Sequence, residues 1–476
     1  MSNTFDQFQL SGEIRDALAG MKYEHATEVQ SLVIPKLLHG SDVIVKAKTG
    51  SGKTAAFGVP LCEKAVWEEN KPQALVLTPT RELAMQVKED IQNIGRFKRL
   101  KAALLVGQQP AAPQRVELNQ KVHIVTGTPG RVLDHIEKGT LNLENVKYVV
   151  LDEADEMLNM GFIDQVEQIL AEVPEERTTS LFSATLPQKV IKLSERHMNQ
   201  PEIVETVLEE KPDIDFTWLE TSRETKIKDL YKFLVKEQPE SAVLFCNQKD
   251  TVDELTSYLK EQGLSCDKIH GGLEQKERTQ VMEEFKRGTT RYLIASDVAA
   301  RGIDVLDMPL VINVDVPVET EKFIHRTGRT ARAGREGKAV TFIIPQERRY
   351  AEIIGRRLKT EVDLEPVPFP TTAEEKAFTL KMKEVPQLKK DKSAPLEKNI
   401  TKLYFNGGKK KKLRAFDFVG TITSIPGIEA EDIGIITVES LATYVDILNG
   451  KGAVVLQEME DRKVKGKNLK VREARR

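Results

Sequence analysis

Cysteine is scarce in this 476-residue chain, with Cys62, Cys246 and Cys266 far apart and no CxxC pair among them. That spacing argues against a disulfide framework or a cysteine-based zinc site, and fits a reducing, cytoplasmic setting. A run of eighteen apolar residues is also missing, so no transmembrane helix and no membrane partner are expected. Met1 to Leu10 lacks a basic stretch followed by an apolar one, so no secretory leader is expected. A strong net charge is absent as well: the formal value is −2. What remains is 40% hydrophobic and 30% charged, the balance of a soluble globular protein. The length is too great for one ordinary core and points to about three domains in a monomer.

The near-zero net charge hides an asymmetry. From Ile400 to Arg476 there are 15 Lys and Arg against 10 Asp and Glu, so the body that precedes this stretch is acidic. A basic tail suggests an anionic partner, although a solvated surface would look similar. Upstream, short β-branched runs alternate with amphipathic stretches. Val43–Val45, Ala74–Leu77, Ala103–Val106, His123–Val125, Tyr148–Leu151 and Ser180–Phe182 read as buried strands of a parallel sheet built from βαβ units. The pattern restarts at Ala242–Phe245, Tyr292–Ile294, Val311–Val314 and Ala339–Ile344. Two α/β domains in tandem follow, with a joint near Asn199 to Asp215. The segment Glu361 to Lys398, with five prolines among many charges, has linker composition. Beyond it, predicted strands at Lys402–Phe405, Ile433–Val438, Thr443–Leu448 and Asn468–Val471 frame helices at Leu413–Ile425 and Gly452–Met459. This βαββαβ order is the ferredoxin-like plan of RNA recognition motifs. The expected boundaries are 1–207, 208–362, a linker at 363–399, and 400–476.

Several motifs carry chemistry. Thr49, Gly50, Ser51, Gly52, Lys53 and Thr54 follow the Val43 strand and open a helix. Glycines let backbone N–H groups wrap a phosphate chain, and the helix N-terminus adds a positive dipole. Lys53 can reach the β- and γ-phosphates and Thr54 can hold Mg²⁺, which makes ATP the expected nucleotide. Asp152 and Glu153 end the Tyr148 strand, where ligands gather in such sheets. Asp152 suits a Mg²⁺ site reached through water, and Glu153 suits a base that orients the attacking water. Arg326, Arg329 and Arg332 fall three apart, which predicts one helical face. Such guanidinium groups stabilise a transferring phosphoryl group, although a basic surface helix would show the same spacing.

These residues resemble the DEAD-box RNA helicases over roughly residues 3 to 350. Asp152 to Asp155 spell the name-giving tetrapeptide. Pro79–Ala84, Thr128–Arg131, Ser183–Thr185, Gln275–Arg278, Ala295–Asp304 and His325–Arg332 match further family motifs. The resemblance implies two RecA-like parallel-sheet domains, with Lys53, Asp152, Glu153, Arg329 and Arg332 catalytic. Tyr23, Ala26, Thr27 and Gln30 resemble the family's adenine-reading motif, with Phe5 as its stacking aromatic; Lys22 and Ala26 depart from the usual Gly and Pro. By the same resemblance, Asp304 meets the nucleotide and Ser183 and Thr185 couple it to RNA. Thr80, Arg81, Gly107, Thr128, Arg131, Gly272, Arg278 and Ser296 would line an RNA track gripping phosphates and 2′-hydroxyls. Gln108 and Ala331 each replace a family glycine.

The tail resembles the RNA recognition motif of the DbpA-type branch, which is tied to large-subunit ribosomal RNA. Ala442 replaces the first aromatic of the second signature strand, so RNA contact is expected to rely on Tyr404, Tyr444 and Lys409, Lys410, Lys411 and Lys412, with Lys463, Lys465 and Lys467 beside them. The resulting expectation is an ATP- and Mg²⁺-dependent RNA helicase that acts on 23S rRNA and 50S precursor particles. A general RNA helicase, an RNA clamp without turnover and a DNA translocase are the rivals. Gln30 and Asp155 argue against the last.

Overall fold

The computed structural model describes residues 4–47, 50–206, 214–297, 308–331, 336–384 and 399–474. Its contacts separate two compact units, one holding Met1–Ala47, Ser51–Thr206 and Asp391–Arg476, the other Val207–Lys390. In the first unit, β1 (Val43–Lys46), β2 (Ala74–Leu77), β3 (Ala102–Leu105), β4 (Ile124–Gly127), β5 (Tyr148–Leu151), β6 (Thr178–Ser183) and β7 (Glu202–Glu205) form one sheet. The spatial order is β3-β4-β2-β5-β6-β1-β7, and every pairing is parallel. Strands β2 and β4 are buried along their whole length, and β2 accordingly reads as an unbroken apolar run. Helices cover both faces, giving separate cores around Phe57 and Phe182 on one side and Val132 and Ile169 on the other. The six expected strands are present. β7 lies where the sequence suggested only a joint, because it is an edge strand with a single buried residue, Val204.

The second unit repeats the plan. β8 (Ile214–Glu220), β9 (Ala242–Cys246), β10 (Cys266–Ile269), β11 (Tyr292–Ser296), β12 (Leu310–Asn313), β13 (Gly337–Ile343) and β14 (Leu364–Pro366) pair in parallel in the order β10-β11-β9-β12-β13-β8-β14. The structure corrects the expected linker over its first half. β14 pairs with β8, and the helix Thr372–Lys383 buries Phe378 in the core of this unit. Its start is fixed by a capping box in which Thr371 and Glu374 satisfy each other's backbone N–H groups. Prolines and charges suggested a linker, but Pro366 sits on the last strand of the sheet, where its missing N–H costs little.

The C-terminal segment forms its own core around Phe405 and Phe418, whose rings lie 5.1 Å apart. β15 (Thr401–Phe405), β16 (Ile433–Val438), β17 (Thr443–Ile447) and β20 (Val471–Glu473) make an antiparallel sheet in the order β16-β17-β15-β20, with helices Ala415–Ile422 and Gly452–Glu458. The ferredoxin-like order is therefore present. The closing strand begins at Val471, because a small hairpin of β18 (Lys463–Val464) and β19 (Lys467–Asn468) comes before it.

Two measurements probe this packing. His123 is fully buried, accepts from the Lys101 amide through Nδ1 at 2.9 Å and donates through Nε2 to the Trp67 carbonyl at 3.1 Å. Burial pushes its imidazole down to about 4. The unfolded chain therefore takes up a proton that the fold refuses. The contribution is complete above about pH 6.5 and is lost as pH falls toward 4. Urea unfolding should show roughly 2 kcal/mol lost between pH 7 and pH 5 from this residue, and His123→Gln should remove that part of the slope. Phe378→Ala should destabilise the second unit by about 3–5 kcal/mol in denaturant melts, whereas a true linker residue would leave the midpoint unchanged.

Candidate nucleotide and RNA sites

The carboxyl edge of the first sheet divides in two. The loops after β1, β5 and β6, which are neighbours in the sheet, carry the phosphate loop, Asp152–Asp155 and Ser183–Thr185. The loops after β3, β4 and β2 carry Gly107, Thr128 and Thr80.

In the phosphate loop, Gly50 and Gly52 have φ of 86° and 88°, the left-handed region that favours glycine. Gly52 has a second constraint: a Cβ there would stand 2.5 Å from Gln30 Nε2. Gln30 and Thr27 clip this loop through two of its carbonyls. The Gln30 amide donates to the Gly52 carbonyl at 3.1 Å and accepts from Thr27 N at 2.9 Å. The Thr27 hydroxyl accepts from Gln30 N at 3.4 Å and donates to the Ser51 carbonyl at 2.8 Å. These two residues thus shape the loop, a role the sequence reading, which assigned them to adenine, did not include. One amide hydrogen and one lone pair of Gln30 remain for a further contact. Phe5 is buried and packs edge-on against Phe8 and Tyr23 at 5.8 and 5.9 Å.

Lys53 opens the helix Lys53–Lys64 and is only 6% exposed, yet its ammonium has no hydrogen-bond partner among the described residues. A buried donor of this kind marks a place for an anion. Its charge acts on Asp152, at the end of β5. Burial pushes the Asp152 carboxyl up to about 6, Lys53 pulls it down, and Glu153 and Asp155 push it up. The next residue, Glu153, has φ 53° and ψ 52°, a left-handed conformation that costs a non-glycine residue of order 1 kcal/mol or more. The turn is held because Asp152 Oδ1 accepts the Glu153 N–H at 3.0 Å.

Asp155 faces the β6 loop. Its Oδ2 accepts from both Thr185 N and Thr185 Oγ1 at 2.8 Å, and its own N–H donates to Ser183 Oγ at 3.3 Å. Ser183 Oγ in turn donates to the Thr185 carbonyl at 2.5 Å, and the Ser183 carbonyl accepts from Ala47 N at 3.0 Å. The expected coupling residues therefore join the loops after β1, β5 and β6. The donor set fits a triphosphate and its Mg²⁺: a buried ammonium with no hydrogen-bond partner among the described residues, a glycine cradle, Thr54 on the first helical turn and a buried carboxylate. Mg²⁺ held by Thr54 and Asp152 would neutralise phosphate charge.

On the other half of the edge, Arg81 Nη1 donates to Gln108 Oε1 at 2.5 Å and Arg131 Nη1 donates to the Gln109 carbonyl at 3.0 Å. Thr80 caps the helix Arg81–Ile94 by accepting from Leu83 N, and Thr128 occupies the same place before Pro129–Glu137. Gln108, which replaces a family glycine, adopts φ 55°. Five of the expected RNA contacts are thus brought together.

In the second unit, Gly272 N donates to His270 Nδ1 at 3.1 Å, and Arg278 and Ser296 are buried. Arg326 and Arg329 do not share a helical face. The helix ends at Thr327, Gly328 caps it, and Arg329 lies in the turn beyond. Arg326 is 2% exposed and bound to Asp297 at 2.5 and 2.8 Å, Asn247 Oδ1 at 2.7 Å and the Asp315 carbonyl at 2.8 Å. It braces the fold. Thr49, Asp304 and Arg332 lie outside the described residues.

In the tail, Tyr404 and Tyr444 are register partners on β15 and β17, with rings 5.6 Å apart, and Arg472 lies 4.6 Å over Tyr404. Lys409–Lys412 are exposed on a short turn whose amides donate to Glu439 and Ser440 carbonyls.

A nucleotide loop, a DEAD tetrapeptide joined to Ser-Ala-Thr, and a paired-arginine edge on tandem parallel sheets define the class: the chain belongs to the DEAD-box family of ATP-dependent RNA helicases. Family models for a DEAD/DEAH box helicase, a helicase conserved C-terminal domain and a DbpA RNA binding domain match residues 27–193, 225–334 and 402–473. The chain is 54% identical to the ATP-dependent RNA helicase DbpA of Bacillus subtilis, over 99% of both proteins. Among solved structures it resembles Saccharomyces cerevisiae Dbp5 bound to RNA and ADP BeF3, at 29% identity and TM-score 0.70, covering 80% of this chain and 100% of that one. It also resembles Mss116p bound to ssRNA and AMP-PNP, at 30% identity and TM-score 0.68, covering 80% and 82%.

Gly52→Ala tests the loop geometry. The substitution meets both a left-handed φ and the Gln30 amide, so nucleotide affinity measured by titration calorimetry should fall at least tenfold. Unchanged affinity would mean that the clip does not shape the loop.

Proposed function

We propose that this helicase is directed by its tail to 23S rRNA, and that it remodels short structured segments there during 50S subunit assembly. The observation that carries the reading is the tail itself. A DbpA RNA binding domain follows the motor, and it presents Tyr404, Tyr444 and the Lys409–Lys412 turn. Two tyrosines offer stacking surface and the lysines grip phosphates, a combination suited to a structured RNA. Tethering such a unit to the motor raises the local RNA concentration without strengthening the motor's own grip.

In the motor, Lys53 holds the β- and γ-phosphates and Glu153 accepts a proton from the attacking water. Arg329 and Arg332 stabilise charge on the transferring phosphoryl group. Asp155, Ser183 and Thr185 relate the state of that site to the RNA edge lined by Thr80, Arg81, Gly107, Thr128 and Arg131. Gly272, Arg278 and Ser296 contribute RNA contacts from the second unit. Gln30 and Phe5 select adenine, and Asp304 adds a nucleotide contact. The protein acts as a cytoplasmic monomer.

The test is ATP hydrolysis without nucleic acid, with DNA, with a nonribosomal RNA of equal length and with 23S rRNA, for the full chain and for a chain ended after Glu384. That end point keeps the helix Thr372–Lys383, which the second unit needs. Stimulation by 23S rRNA should exceed that by the other RNA at least tenfold and should lose this margin on truncation. Equal stimulation by both RNAs, indifferent to truncation, would make the protein a general RNA helicase.

A further inference from the structure

A cluster of basic side chains lies before β3, away from the nucleotide and RNA edges. Trp67 is 41% exposed, and its ring carries Lys121 Nζ at 3.7 Å and the Arg99 guanidinium at 5.8 Å. The Trp67 carbonyl and the Lys101 amide bind opposite nitrogens of the buried His123 ring, so Trp67 and Lys101 share one rigid support. Arg99 has φ 58°, a left-handed turn between the preceding helix and β3.

Two of these cations meet the tail. Arg99 Nη2 donates to the Ala430 carbonyl at 2.5 Å, with the Glu431 charge in reach. Lys101 Nζ donates to the Ile436 carbonyl, and Asp446 is its largest favourable charge. Burial at this contact pushes the Lys101 ammonium down to about 8. Ile436 belongs to β16, the outer strand of the tail sheet, whose register slips between Ile433 and Ile436. An outer strand presents backbone groups without ladder partners, and covering them is a general requirement of sheet proteins. The charge signs also match locally: the tail is basic overall, yet it turns Glu431 and Asp446 toward Arg99 and Lys101.

We propose that Arg99 and Lys101 form a docking surface whose partner is the tail of the same chain, and that they hold the tail against the start of β3 when no RNA is bound. The dock has a directional consequence, which rests on the RNA reading above. Lys409 is close enough to act electrostatically on Lys101, so the tail's lysine turn stands near one end of β3. Gly107 and Gln108 follow the other end, about 13 Å away along four strand residues. Docking would therefore present tail-bound RNA to the RNA edge of the motor on a fixed side.

The experiment needs no RNA, so its failure is distinct from failure of the ribosomal assignment. In the full chain, cysteines replace Val116 and Phe416, which are 50% and 62% exposed, and a dye pair is attached. The native cysteines are buried with their thiols pushed up, so they leave labelling to the new sites. A single narrow energy-transfer distribution is expected without RNA. Arg99→Glu and Lys101→Glu should each shift it to lower, broader transfer in at least half of the molecules. Arg99→Glu with Glu431→Arg should restore the narrow state, which a variant that misfolded could not do. A broad distribution in the parent protein, no shift in the single variants, or no recovery in the charge swap would each overturn the dock.

Discussion

A buried ammonium without a hydrogen-bond partner among the described residues governs the first unit. Lys53 is held at the mouth of a helix, and burial without a hydrogen-bonding partner is unfavourable for any cation. Asp152 offsets part of that cost, and a phosphate would offset the rest. The surrounding residues maintain this arrangement. Gly52 gives the loop its left-handed turn, and Thr27 and Gln30 fasten the loop through the Ser51 and Gly52 carbonyls. A fold that relaxed around Lys53 would be more stable and would bind nucleotide less well.

The carboxylates extend the same logic. Glu153 sits in a strained backbone conformation at the point where β5 turns into its helix. Strain persists only where neighbours enforce it. Here Asp152 accepts the Glu153 amide and Asp155 is tied to Thr185 through both backbone and side chain. Glu153 is thus placed by the same turn that joins two adjacent loops, so its backbone conformation and the link between the loops are not separable there.

Much of this was legible in the sequence because parallel strands buried on both faces read as apolar runs, and because loop glycines and the carboxylate pair stand at strand ends. Three features were not. Strand β7 and the helix Thr372–Lys383 escaped because each commits a single deeply buried residue, Val204 or Phe378, among charges. The arginine series misled because spacing describes a helix only while the helix continues, and Gly328 stops it. Gln30 and Thr27 were visible, but their hydrogen bonds to Ser51 and Gly52 join positions more than twenty residues apart, which no local pattern reveals.

The sheet order of the first unit also sets the two groups of motifs side by side. The half of the edge that carries the phosphate loop ends at β5 and the half that carries Thr80, Gly107 and Thr128 begins at β2, and these two strands are direct neighbours. Adjacent strands lie about 4.8 Å apart. The Asp152–Asp155 turn and Thr80 therefore follow neighbouring strands of one sheet. The shortest connection between the two turns runs across the sheet itself, over strands packed on both faces, and not through the covering helices.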